Sequence, residues 1–142
     1  MRHPIKIQKG MRRFLCILLC AVAVFAASAQ KVWFNATSYA YKAGDGYGTW
    51  TAWSDWIPCT VPICIDYTND QIFIYSAEPQ AYQVYDEGET YYDNGGGTQV
   101  EFPVFNADGL FGTVRLRIES SGNAQLYVTF RDAMWVYNVS RR

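Results

Sequence analysis

The chain has 142 residues, of which 50% are hydrophobic, 17% aromatic and 18% charged, with a formal net charge of −1. That length holds one domain and a leader, and the apolar fraction is too high for a disordered chain. Five of the 12 Lys and Arg lie in the first 13 residues and all 13 Asp and Glu at or after Asp45, which excludes a nucleic-acid binder built on bulk positive charge.

Residues 1–29 read as a cleaved secretory signal. Arg12 and Arg13 end a basic stretch, Phe14 to Phe25 is an uninterrupted apolar run, and Ala27-Ser28-Ala29 is the small-x-small pattern that signal peptidases accept. The run is short of the roughly 20 residues a membrane helix needs. Cleavage after Ala29 leaves residues 30–142 as a single domain with no membrane span, exported to the periplasm, the cell surface or the medium. It carries seven basic side chains against 13 acidic ones, together with all five Trp and all 11 Tyr.

What the mature chain lacks restricts its chemistry. The only histidine, His3, belongs to the leader, so neither a Ser-His-Asp or Cys-His centre nor a His-ligated metal site can be built. Cys59 and Cys64 are too few for a four-cysteine zinc site, and no phosphate-binding Gly motif occurs. No catalytic residue, metal or cofactor is therefore assigned. Paired carboxylates are the one catalytic option left.

In chain order, period-two alternation dominates. Val32, Phe34, Ala36, Ser38 and Ala40 make one face of a first strand. Tyr47 to Ile57 reads as a second extended segment carrying Trp50, Trp53 and Trp56. Val61, Ile63 and Ile65 form a hairpin with Ile72 and Ile74 across the Thr68-Asn69-Asp70 turn. Tyr82 and Val84 mark a short strand, and Asp93 to Gly97 a loop. Val100-Phe102-Val104, Val114-Leu116-Ile118 and Leu126-Val128-Phe130 follow as aliphatic faces, separated by turns at Asn106–Gly109 and Ser120–Asn123. A last strand runs through Trp135 to Val139. No helical stripe appears. The expectation is an all-β antiparallel meander of about eight strands, closed into a small up-and-down, lipocalin-like barrel, with a β-sandwich as the alternative.

The elements WxxWxxW, Cys59, Val61-Ile63-Ile65, Asp66, Asp70 and IFIYS, followed by DGLFGTVRLR and QLYVTFRDAMWVYNV, span most of the mature domain. In this pattern the chain resembles small secreted proteins of uncharacterised function from gut Bacteroidetes. The resemblance implies export in a Gram-negative bacterium and carries no activity or site residues.

Candidate binding residues are aromatic. On a regular strand Trp50 and Trp56 share one face and Trp53 the other, a platform for sugar rings or an apolar ligand, or else a cap on the core. Phe73, Tyr75, Tyr85 and Tyr127 lie opposite the aliphatic face, where they either form an external aromatic strip or serve as cross-strand pairs. Cys59 and Cys64 would stand roughly 16 Å apart along a straight strand, too far to bond unless the chain loops. Asp86, Glu87, Glu89, Asp93 and Asn94 crowd one Gly-rich loop, which suits solvated acids better than calcium because the ligand spacing is absent. Arg115, Arg117 and Arg131 are expected to pair with Glu119, Glu101 or Asp132 rather than form an anion site.

These features point to a secreted non-enzymatic binding or interaction module. Its partner is an apolar small molecule in the barrel mouth, or a glycan or protein on the outer aromatics. A structural envelope-associated protein and a carboxylate-based hydrolase are the alternatives.

Overall fold

The structure, a computed structural model, describes residues 31–142. The expected leader and its cleavage point lie outside the described residues. Among those described there are nine strands and no helix: β1 (Lys31–Ala43), β2 (Ile57–Asp66), β3 (Gln71–Ile74), β4 (Gln80–Val84), β5 (Glu89–Tyr92), β6 (Thr98–Phe105), β7 (Phe111–Ile118), β8 (Ala124–Thr129) and β9 (Ala133–Arg141).

All pairings are antiparallel. Sequential hairpins run from β1 to β4 and from β6 to β9, β9 pairs with β1, and β4 pairs with β6 through Gln83↔Phe105 and Val84↔Val104. The result is a closed eight-stranded up-and-down barrel, which the sandwich alternative does not allow. The additional strand β5 pairs with the start of β6, at Thr98 to Glu101, on the edge that β4 leaves free. β4 and β5 thus behave as one strand interrupted at Tyr85–Gly88, and β6 has no open edge.

The interior is aliphatic through most of its depth. Ile63, Ile72, Ile74, Val104, Val114, Leu126 and Val128 are fully buried, with Phe102 the largest side chain among them. The hairpin expected between Ile63-Ile65 and Ile72-Ile74 forms in register, as Ile63↔Ile74 and Ile65↔Ile72. Leu116 and Val128 both point inward on neighbouring strands. Gly109 takes the left-handed conformation, with φ of 79°, that its turn requires.

Two expectations need correction. The first concerns β1, whose inward face is not Val32 to Ala40 throughout. A bulge between Ala36 and Ser38 shifts the register against both neighbours. An extra residue flips every later side chain, so Tyr39 and Tyr41 take the interior side and Ser38, Ala40 and Lys42 the outer one. Tyr39 accordingly lies opposite Tyr137 and packs against the core.

The second concerns the extended segment expected over Tyr47 to Ile57: residues 47–56 form no strand, and β2 begins only at Ile57. Where β2 has not yet begun, the edge of β1 at Tyr41 and Ala43 would be bare. Thr51 and Ser54 cover it. Thr51 N donates to Ala43 O and Ser54 N to Tyr41 O (2.8 Å each), and the hydroxyls of Ser54 and Thr51 accept from Tyr41 N and Ala43 N (3.0 Å each). Side-chain oxygens stand in for a partner strand, so the backbone needs no regular alternation.

Candidate functional site

The register shift in β1 determines the character of one barrel end. Beyond the bulge the inward positions are Tyr39, Cys59, Gln80, Tyr82, Trp135 and Tyr137, contributed by β1, β2, β4 and β9. The β3–β4 turn at Ser76–Glu78 forms the rim, and these groups bound a concavity of about 710 Å3. Val61 contributes an aliphatic side chain to the lining, and the fully buried Ile74 ends β3 just ahead of the rim turn.

A polar chain crosses one wall. The Tyr82 hydroxyl donates to Gln80 Oε1 (2.6 Å), and Gln80 Nε2 donates to Ser76 Oγ and to the Tyr137 hydroxyl (3.0 Å each). Ser76 Oγ donates onward to Glu78 O at 2.7 Å. Burial pushes the Tyr82 and Tyr137 phenols above the ordinary tyrosine range, so both stay protonated. Burial likewise pushes the Cys59 thiol up, away from the reactive thiolate. Trp135 Nε1 is buried without a hydrogen-bond partner, although it bears on the Tyr137 hydroxyl and helps restrain its upward shift.

Two of the lining rings, Tyr82 and Trp135, are backed by a ring stack. Phe130 lies 6.2 Å from Trp135, nearly parallel, and 5.7 Å from Tyr82. Gly112 makes room for it: a Cβ there would stand 2.5 Å from Thr129 O and 2.7 Å from the Phe130 ring. On the far side of this stack lie two further concavities. One, of about 440 Å3, is bounded by the β6–β7 turn at Asn106–Leu110; the other, of about 560 Å3, by Asp45, Tyr47, Phe111 and Arg131.

The aromatic residues singled out in the sequence lie outside this mouth, in three separate outer clusters with Trp56 apart from them. Trp50 and Trp53 sit over Lys42, whose Nζ is 5.6 Å and 4.6 Å from their centroids. Trp53 reaches Tyr127 at 6.5 Å, edge on, and Arg115 lies over the other ring at 4.1 Å. Val136 pairs with both Ala40 and Tyr127, so Trp53 passes over it, which accounts for two buried side chains outside the interior cluster. Trp56 stands half exposed at the entry to β2. Tyr75 stacks between Trp33 (5.9 Å) and Phe73 (6.2 Å). Tyr85 packs with Phe105 and Phe111. Tyr75, Tyr85 and Tyr127 therefore do not join into one strip: Tyr75 and Tyr85 stand at opposite ends of the antiparallel β3–β4 pair, and Tyr127 lies away from both on β8.

Cys59 and Cys64 are unbonded and face opposite sides of β2, Cys59 the mouth and Cys64 the outer side between Trp33 and Phe73. Asp93 is committed to its own turn and to β7. It accepts from Gly95 N, Gly97 N, Gln99 Nε2 and Arg117 Nε, and these bonds, that from Gly97 above all, hold its carboxyl below the usual range. Among the described residues no three acids or thiols converge as a metal site. Arg117 pairs with Asp93 and Glu119 at 3.1 Å each, Arg115 donates to Gln99, and Arg131 donates to Gly46 O. Of the partners expected for the three arginines, Glu119 alone is used. Comparison with family models, curated proteins and solved structures finds no match.

Proposed function

We propose that this protein is an exported, non-enzymatic binding module that takes a small, mostly apolar molecule into the mouth of its barrel. The observation that carries the reading is the concavity of about 710 Å3, walled by rings and crossed by a few converging polar groups. Small-molecule sites typically measure about 300–1,000 Å3 and combine apolar walls with a small number of polar anchors. The export half of the proposal rests on the leader sequence and on the resemblance to secreted proteins.

The chemistry of the mouth suits binding better than turnover. Its lining contains one carboxylate, Glu78, and no pair that could share acid and base roles. Asp45 and Asp132 line one neighbouring concavity, where backbone hydrogen bonds from Tyr47 and Thr49 hold Asp45 below the ordinary range and oppose a protonated acid; Glu78, Asp108 and Asp132 line the other. A glycan platform on the outer rings is less favoured, since Trp50, Trp53 and Tyr127 are engaged with Lys42, Arg115 and each other.

Native mass spectrometry of the protein purified from its source cells tests the reading. A non-covalent adduct of roughly a few hundred daltons is expected. Cys59→Trp, which fills the mouth, is expected to remove it. An adduct retained by that variant, or none in the natural protein, would count against the reading.

A further inference from the structure

The polar chain in the mouth has a direction. Gln80 Nε2 spends its two hydrogens on Ser76 Oγ and Tyr137 Oη, Gln80 Oε1 receives the Tyr82 hydroxyl, and Ser76 Oγ donates to Glu78 O. Every donor in the chain has an acceptor except the last, the Tyr137 O–H, whose oxygen already accepts from Gln80. The buried indole N–H of Trp135 is directed at the same hydroxyl oxygen without reaching full hydrogen-bond geometry. Two donors thus lack a full acceptor where β9 enters the mouth. A buried donor left unpaired is costly, and a ligand acceptor placed there removes the cost.

The charge around the mouth is equally one-sided. Among the described residues no Lys or Arg contributes to its lining, and Glu78 at the rim is the single charged residue there. An anion entering would lose its hydration with no cation to receive it, and would pass a carboxylate on the way. A cation would be received at the rim but would meet the two donors in the depth. The rings of Tyr39, Tyr82, Trp135 and Tyr137 favour a planar apolar body.

We infer that the mouth selects an uncharged planar compound bearing a carbonyl-type acceptor, which the Tyr137 hydroxyl receives. The inference rests on the binding reading above and narrows its ligand class.

Four naphthalenes of matched shape test it by isothermal titration calorimetry on the purified full-length protein: 2-acetylnaphthalene, 2-ethylnaphthalene, 2-naphthoate and 2-naphthyltrimethylammonium. The ketone is expected to bind about three- to tenfold more tightly than the hydrocarbon, the span of one neutral hydrogen bond. Both ions are expected to bind more weakly than the ketone. Tyr137→Phe is expected to abolish the difference between ketone and hydrocarbon; if that variant fails to fold, the comparison in the natural protein decides alone. Equal binding of ketone and hydrocarbon in the natural protein overturns the acceptor inference while the cavity reading stands. Tightest binding by either ion overturns the inference of an uncharged ligand. Failure of all four contradicts the binding reading itself, and this inference with it.

Discussion

The two ends of the barrel differ in chemistry although the same strands build both. From the middle of the barrel to the end that holds the β2–β3 and β7–β8 turns, the interior is mainly interlocked Ile, Val, Leu and Phe, almost all of it buried. At the other, beyond the β1 bulge, the inward positions are Tyr, Trp, Gln and Cys around an unfilled mouth. Aliphatic packing yields a rigid, water-free plug, and amphipathic rings yield walls that tolerate a void because their polar tips bond to one another. The stability of this fold is therefore expected to reside in the closed end and its binding capacity in the open one.

Truncation of the plug should produce the largest effect. Leu126→Ala removes a fully buried side chain at the centre of β8 and is expected to cost about 2–5 kcal/mol, measured by chemical denaturation. A loss below about 1 kcal/mol would break the contrast between the ends. Gly112→Ala acts at the boundary. Its Cβ would drive into Phe130 and Thr129 O, so a cost of about 1–3 kcal/mol is expected, with weaker probe binding as the Phe130–Trp135 stack shifts.

The pH profile separates the ends more gently. At the closed end burial pushes the Asp66 carboxyl up, but bonds from the Asn69 side chain and backbone and from Thr68 N outweigh it and hold the group below the usual range. A depressed folded pKa stabilises above the unfolded value of about 3.9 and loses that contribution as pH falls through the folded value. At the mouth, Cys59, Tyr82 and Tyr137 are raised by burial. Their contribution is present below the unfolded values, about 8.5 for Cys and 10 for Tyr, and is lost as pH rises through the folded ones. Thermal melts across pH should show a plateau with an acid and an alkaline limb. Asp66→Asn is expected to weaken the acid limb, to which Asp45 and Asp93 also contribute, and to leave the alkaline one; Tyr82→Phe is expected to weaken the alkaline limb, to which Cys59, Cys64 and Tyr137 also contribute, and to leave the acid one. Loss of both limbs in either variant would mean that the ends are not separable.

Much of the closed end was legible in the sequence because it depends on local alternation. The Ile63-Ile65 and Ile72-Ile74 hairpin, the inward Leu116 and Val128 and the Ser120–Asn123 turn, with Gly122 left-handed, each follow from a period of two or a turn residue. The mouth was not, for two physical reasons. One is the bulge: after Ala36 the apolar phase moves from even to odd positions, and Tyr39 and Tyr41 are the trace it leaves, overridden when Ser38 and Ala40 are counted with the earlier aliphatics. The other is closure, since Cys59, Gln80 and Tyr137 become neighbours only when β9 returns to β1 and β4 meets β6. The tryptophans drew attention through their spacing, whereas Thr51 and Ser54 between them carry the local structure, as hydroxyls that cover the edge of β1.

The most direct measurement is a nitrogen-15 chemical-shift map of the protein titrated with 2-acetylnaphthalene. The account predicts that shifts concentrate at Tyr39, Cys59, Gln80, Trp135 and Tyr137, with the Trp50, Trp53 and Trp56 indoles unmoved. Shifts confined to those three indoles and Tyr127, with the mouth silent, would contradict it.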